Sequence, residues 1–405
     1  MAKEISRRSF LKAGTAAAVG LSVAPGLMAK KKKKTEDTAP LNRKLKILAV
    51  GIGGRGSSVL KGLETEDIIG LCDVDWKYAN KTFNDYPSAK RFKDWRVMLD
   101  EMGKSIDAVL VATPDHTHAC VAAHSMTLGK HVYVQKPLTH SVYEARLLTK
   151  LAKKYKVATQ MGNQGSALDA MRRCTEIIQS GILGEVKEVH VWTNRPVWPQ
   201  GFKAAATTKG PAQEIPKGLD WNAWLGVAKD RPYRGLIDPK VKGYDPWDLC
   251  QNVYHPFSWR AFFDFGCGAF GDMACHTMNL AFRGLELGAV SDAVCTKIVS
   301  ENDIAYPLKS VVKLTYKERE SIVRPGVKLP AVTLYWYDGN VKPDAAIMPK
   351  WAAKHEGKVP NTGCYIIGSK GAVLMQDDYG AKCAIDQGCN AEYAVFWRFY
   401  CHQLY

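Results

Sequence analysis

An apolar run, Leu45-Lys46-Ile47-Leu48-Ala49-Val50, ends directly on Gly51-Ile52-Gly53-Gly54-Arg55-Gly56. No other feature narrows the fold of this chain as far. The run reads as a short buried strand, and residues 57–63 continue as a helix. In such a G-x-G-x-x-G loop Gly51 permits the tight turn. Gly53 leaves room for backbone to approach a diphosphate, and Gly56 lets the helix pack closely. Gly54 and Arg55 complete the loop as cofactor-binding candidates, and the amino end of the helix that follows faces phosphate charge with its free N–H groups. The next strand, 68–73, ends on Asp73, 22 residues after Gly51. An acid there accepts hydrogen bonds from an adenosine ribose and repels a 2′-phosphate. NAD is therefore expected rather than NADP, with Asp75 as the competing acid.

The alternation of strand and helix continues. Residues 107–112 form a buried-type strand closed by Thr113-Pro114-Asp115-His116-Thr117-His118, before a helix over 119–128. Residues 131–135 form another strand, ended by Lys136-Pro137. A helix over 141–155 leads to a strand at 157–160. This pattern predicts a mostly parallel α/β sheet of Rossmann type, with ligands at the carboxyl ends of its strands. Thr113, Pro114, His116, Lys136, Gln160 and Asn163 all fall at those ends. His116 and His118 have no carboxylate or cysteine at ligand spacing, so no metal is expected.

Beyond residue 163 the pattern changes. A helix spans 169–180, and 185–192 alternates as a half-buried strand. The irregular stretch 196–217 carries Trp198. With Trp192 it forms either a stacking wall for sugar rings or an anchor for the loop. Later strands at 292–299, 310–316, 332–337 and 364–368, with turns at Asp338-Gly339 and Ser369-Lys370-Gly371, predict an α+β domain with an open, largely antiparallel sheet. Between them, Arg260 precedes a glycine-rich approach to a helix on which Asp272 and His276 share a face. Such a pair serves proton transfer or is a structural hydrogen-bonding pair.

The amino end reads as an export signal. Ser6-Arg7-Arg8-Ser9-Phe10-Leu11-Lys12 precedes a short Ala- and Gly-rich stretch to Ala29, too weakly apolar for a membrane span. The expected organisation is a twin-arginine signal over 1–29, a basic linker over 30–44, a dinucleotide-binding domain over 45–163 and a substrate-binding domain over 164–405. About half of the formal net charge of +16 lies in the first 34 residues. The rest is scattered, and no basic helix interleaved with aromatics suggests nucleic acid. The 11 cysteines show no metal-ligand spacing; Cys383 and Cys389 stand close enough in sequence to pair.

The glycine loop, Thr113-Pro114-x-His116-x-His118, Lys136-Pro137 and Asp272-x-x-x-His276, in that order and spacing, resemble the glucose–fructose oxidoreductase/inositol dehydrogenase family over residues 45–379. Gln160-x-Gly162-Asn163-Gln164-Gly165 and Gly271-Asp272-Met273-x-x-His276 are similar to its exported branch. The resemblance implies a sugar, polyol or glycoside substrate and a nicotinamide cofactor. It makes Lys136, Asp272 and His276 the catalytic candidates, with Trp198 and Arg260 beside the substrate. Gln135 stands where the family usually has Glu. Export implies folding around a tightly held NAD, recognition by the twin-arginine translocation machinery and a periplasmic or otherwise exported location. A homo-oligomer is expected. Redox-neutral glycoside hydrolysis or epimerisation, or an inactive degenerate member, are the rival readings. The aromatic stretch 391–405 departs from the family pattern and reads as the end of a truncated chain.

Overall fold

The computed structural model describes residues 43–235, 250–348 and 359–386. The export signal, most of the basic linker and the aromatic stretch 391–405 lie outside these residues. The described chain packs as two units.

The first unit is built on six parallel strands: β1 (Lys46–Val50), β2 (Asp67–Cys72), β3 (Lys90–Phe92), β4 (Ala108–Val111), β5 (His131–Gln135) and β6 (Thr159–Gly162). Their spatial order is β3-β2-β1-β4-β5-β6, so the direction of winding reverses between β1 and β4. Sequence alone had shown β1, β2 and β4–β6 but not the three-residue β3. Successive side chains of β1 go to opposite faces. Leu48 and Val50 join a core with Met98, Leu99, Val121, Met126 and Leu148. Ile47 and Ala49 join another with Leu60, Phe83 and Leu110. Burial on both faces is why this strand reads as an unbroken apolar run.

The two compact units divide at 162/163, one residue from the boundary expected at 163/164, and exchange two segments. Residues 217–226 belong to the first unit, and Pro114–His116 group with the second. The backbone of 217–226 runs antiparallel to the segment after β2. Leu219 bridges Asp75, the Trp76 N–H donates to the Gly218 carbonyl at 3.2 Å, and the Asp220 N–H donates to the Val74 carbonyl at 2.9 Å. Trp221 and Trp224, both buried, stack with ring centroids 4.8 Å apart.

The second unit is built on a seven-stranded sheet. Its strands are β7 (Val186–Trp192), β8 (Asp292–Val299), β9 (Lys309–Tyr316), β12 (Val332–Tyr337), β13 (Gly363–Gly368), β14 (Ala372–Met375) and β15 (Cys383–Asp386); β10 (Arg319–Glu320) and β11 (Lys328–Leu329) pair separately. The order is β15-β14-β13-β7-β12-β9-β8, antiparallel except between β7 and β12. One face, carrying Val189, Val191, Leu334, Trp336 and Ile366, packs against helices Asp169–Gln179, Gly268–Thr277 and Asn279–Gly284 through Met171, Ile178, Met273 and Leu280. The turn expected at 369–371 closes the β13–β14 hairpin. The Asp338-Gly339 turn does not join adjacent strands. Instead the buried Asp338 carboxylate accepts from the Ser310 N–H, the Ser310 hydroxyl (2.8 Å) and the Trp336 indole (3.1 Å), tying β9 to β12. Cys389 lies outside the described residues. The thiol that Cys383 meets is that of Cys174, on helix Asp169–Gln179.

Candidate active site

In the first unit the glycines do what their spacing predicts. Gly51 has φ +77, and a Cβ there would stand 2.6 Å from the Thr113 nitrogen. A Cβ on Gly56 would run into the Gly51 carbonyl, so helix Gly54–Lys61 packs directly on the loop. The Gly51 N–H is bonded to the Cys72 carbonyl at 2.9 Å. Gly53 caps the helix without a side-chain bond, and the helix has no acid in its first turn. Its amino end therefore keeps its partial positive charge for a ligand.

Asp73 is 8% exposed and faces the loop itself. One carboxylate oxygen accepts from Ile52 N–H (2.8 Å) and Gly53 N–H (3.1 Å), and the other from Asp75 N–H (3.0 Å). Asp75 in turn accepts from the Lys77 and Tyr78 N–H groups. The acid after β2 thus shapes the glycine loop.

The carboxyl ends of β4 and β5 carry Thr113, Pro114 and Lys136, all half-buried. His118 lies between the two ends: its ring nitrogens are 2.8 Å from the Thr113 and Pro137 carbonyl oxygens, and the neutral ring donates its single N–H to one of them. Burial pushes its pKa down to about 4, which keeps the ring neutral. Beside Lys136, Gln135 is 4% exposed. The Gln135 side chain bonds to the Tyr133 hydroxyl, whereas the Thr113 Oγ1 atom is buried and has no hydrogen-bond partner among the described residues. A buried donor or acceptor left this way is a cost that a polar ligand removes. Thr113 Oγ1, the glycine loop and Arg55, whose charge reaches Tyr133 on β5, fit a dinucleotide.

In the second unit, helix Gly268–Thr277 presents Asp272 and His276 on one flank, 8% and 2% exposed. Arg260 Nε lies 3.4 Å from the Asp272 carboxylate. Its guanidinium sits over the Phe257 and Trp259 rings, 4.2 and 4.3 Å from their centroids, and donates to the Phe257 carbonyl. Aromatic faces and a carboxylate hold this cation in place. The His276 ring stands edge-on to Tyr379 at 4.9 Å. Nothing in the local pattern around Tyr379 singled it out in sequence. Asn163, expected at the cofactor, donates to the Cys275 carbonyl at 2.6 Å and to Ser166 Oγ at 3.2 Å, steadying the same helix. His116 is 1% exposed, with its N–H on the Phe265 carbonyl and its ring edge-on to Phe265. A cavity of about 420 Å³ opens on the opposite flank of the helix, between Phe270, Ala274, Ile298 and Tyr306; neither Asp272 nor His276 lines it.

The stacking wall is not formed. Trp198 is 3% exposed, its indole donates to Gln200 Oε1 at 2.9 Å, and its ring meets Phe257 edge-on. Trp192 is fully buried and donates to the Pro360 carbonyl. Both tryptophans anchor their segments, and neither offers a free face to a sugar.

Residues 45–163 match the family described as an oxidoreductase family with an NAD-binding Rossmann fold. That match, to the Gfo/Idh/MocA family, covers the first domain alone. The chain is 26% identical over 152 residues to the inositol 2-dehydrogenase of Salmonella typhimurium, covering 36% of this chain and 45% of that protein. It is 27% identical over 207 residues to a glycosyl hydrolase family 109 protein of Shewanella baltica, covering 45% and 44%. The chain thus spans less than half the length of these curated relatives. The WlbA dehydrogenase of Bordetella pertussis, solved with NADH and UDP-GlcNAcA, shares the fold at a TM-score of 0.55 and 15% identity, over 89% of this chain and 88% of that one. Among the described residues no helix is long and apolar enough to cross a membrane.

Proposed function

We propose that the protein is an NAD-dependent oxidoreductase acting on a hydroxyl or carbonyl group of a sugar, polyol or glycoside. The observation that carries this reading is the buried, partnerless Thr113 Oγ1 at the carboxyl end of β4, in the sheet that carries the glycine loop. When bound, the nicotinamide supplies the hydride chemistry. His276 takes the proton of the reacting hydroxyl, and the Lys136 ammonium stabilises the oxyanion that develops. Asp272, held by Arg260, accepts from a neighbouring substrate hydroxyl. An assignment of Lys136 as the base exchanges the two proton roles and leaves the residues unchanged. The Asp73 carboxylate disfavours a 2′-phosphate, which supports NAD over NADP.

The twin-arginine segment supports export of a folded, cofactor-loaded protein. Tight retention of NAD follows from that reading, because an exported enzyme has no free nicotinamide pool to draw on. A second reading, redox-neutral glycoside hydrolysis, is favoured by the similarity to the family 109 glycosyl hydrolase protein. In that case cleavage proceeds with no net consumption of cofactor.

The test is a panel of sugars and glycosides assayed with purified protein. Lys136→Ala and His276→Ala are expected to lower turnover by roughly 10²–10⁴-fold, the usual range for a proton-transfer or oxyanion group, while nucleotide stays bound. Near-normal rates in either variant would remove that residue from the mechanism. Glycoside cleavage without an added electron acceptor selects the second reading.

A further inference from the structure

We propose that Tyr78 sets how long the dinucleotide stays bound, its ring closing over the glycine loop and packing on the ribose–diphosphate seated there. The inference rests on the dinucleotide reading above and assigns it a retention residue. The ring already lies on the loop. A Cβ built on Gly53 would fall within 2.5 Å of Tyr78 Cδ1 and Cε1, and one on Gly54 would stand 2.9 Å from the phenol oxygen. Gly53 is the position at which backbone approaches the diphosphate, and Gly54 is the first residue of the helix that faces it. The bare α-carbons of both glycines therefore serve a ring as well as a ligand.

The backbone that carries this ring is fixed from two sides. On the loop side, the Tyr78 N–H bonds to Asp75 at 3.0 Å, the Asp75 N–H bonds to Asp73 at 3.0 Å, and Asp73 accepts from Ile52 and Gly53 N–H. Two carboxylates thus connect Tyr78 to the loop it covers. From behind, the bridge between Asp75 and Leu219 and the Trp76-to-Gly218 bond hold the same corner. The side chain itself remains 40% exposed. A tyrosine held at its backbone and partly exposed presents an apolar body and a hydroxyl tip, suited to cover a ribose–diphosphate that must not escape.

The experiment is displacement of bound NADH by excess NAD, followed by nicotinamide fluorescence in a stopped flow, together with the nucleotide-to-protein ratio after gel filtration. Tyr78→Ala is expected to release NADH about ten-fold faster, the size of one lost aromatic contact. Tyr78→Phe should stay within about two-fold of the unaltered protein, because the contact at Gly53 is made by ring carbons. Unchanged release in Tyr78→Ala would overturn the proposal, and so would slower release, which would make the ring an obstruction. Failure of the unaltered protein to bind NADH at all would overturn the dinucleotide reading, a result separable from the other two.

Discussion

His118 shows how a single side chain serves a site without touching a ligand. Its buried neutral ring is packed between the Thr113 and Pro137 carbonyls at the ends of β4 and β5 and donates its one N–H to one of them, with Lys136 next door. Its pKa in the folded protein is about 4, against about 6.5 in an unfolded chain. As pH falls below about 6.5 the unfolded chain takes the proton first, so stability present at neutral pH is lost on the way down to about pH 4. The full effect is roughly 3 kcal/mol. Denaturant titrations at pH 7 and pH 4.5 should show this loss in the unaltered protein and a smaller one in His118→Gln. Equal losses would show that His118 does not titrate on unfolding. Asp338 is the buried counterpart on the second sheet. Asp338→Ala leaves the Ser310 N–H, its hydroxyl and the Trp336 indole without their acceptor. A drop of about 3 kcal/mol in unfolding free energy is expected from denaturant melts; a change below about 0.5 kcal/mol, typical of an exposed site, would refute the role.

Among the elements, the segment 217–226 bears most directly on the first unit. It is bound to the rest of that unit by three backbone contacts and carries the stacked pair Trp221 and Trp224, which are 4% and 3% exposed. Trp224→Ala removes a large buried ring, a change that costs about 3–5 kcal/mol in protein cores. Proteolysis of the variant should open the chain near residues 217–226 while the unaltered protein resists. If the cleavage pattern is unchanged, the stacked pair does not hold this segment. Helix Gly268–Thr277 is the matching element of the second unit. One flank carries Asp272 and His276, and Asn163 holds its backbone at Cys275.

For the whole molecule the decisive measurement is what the purified protein contains. Denaturation followed by mass spectrometry is expected to release NAD in near-stoichiometric amount. Finding mainly NADP would refute the role given to Asp73, and finding neither in folded material would refute tight binding. Self-association is also expected. All eight residues of the edge strand β8 are exposed, among them Val294 and Ile298, and an open edge of this kind is a surface that proteins cover. Light scattering should give a multiple of the 44.8 kDa chain mass. A variant carrying Val294→Lys and Ile298→Lys should shift it toward the monomer, and an unshifted mass would rule out the β8 edge as the contact.

The sequence by itself determined what depends on neighbours along the chain. The apolar strand running into Gly51, Gly53 and Gly56 specified the parallel sheet, because turn, helix and close packing are all set within a dozen residues. Helical spacing likewise put Asp272 and His276 on one flank. Contacts over long sequence separation were decided only by the tertiary structure. Trp198 and Trp192 read as candidate sugar platforms, yet packing buries both, since an indole gains more from an apolar core with a satisfied N–H than from solvent. Asp73 was legible as an acid at the right distance, but not its bonds to Ile52 and Gly53, which form only when β2 lies beside β1. Tyr78 on the glycine loop, Tyr379 against His276 and the return of 217–226 to the first unit leave no periodic trace. They arise because a folded chain brings together residues whose local patterns carry no record of one another.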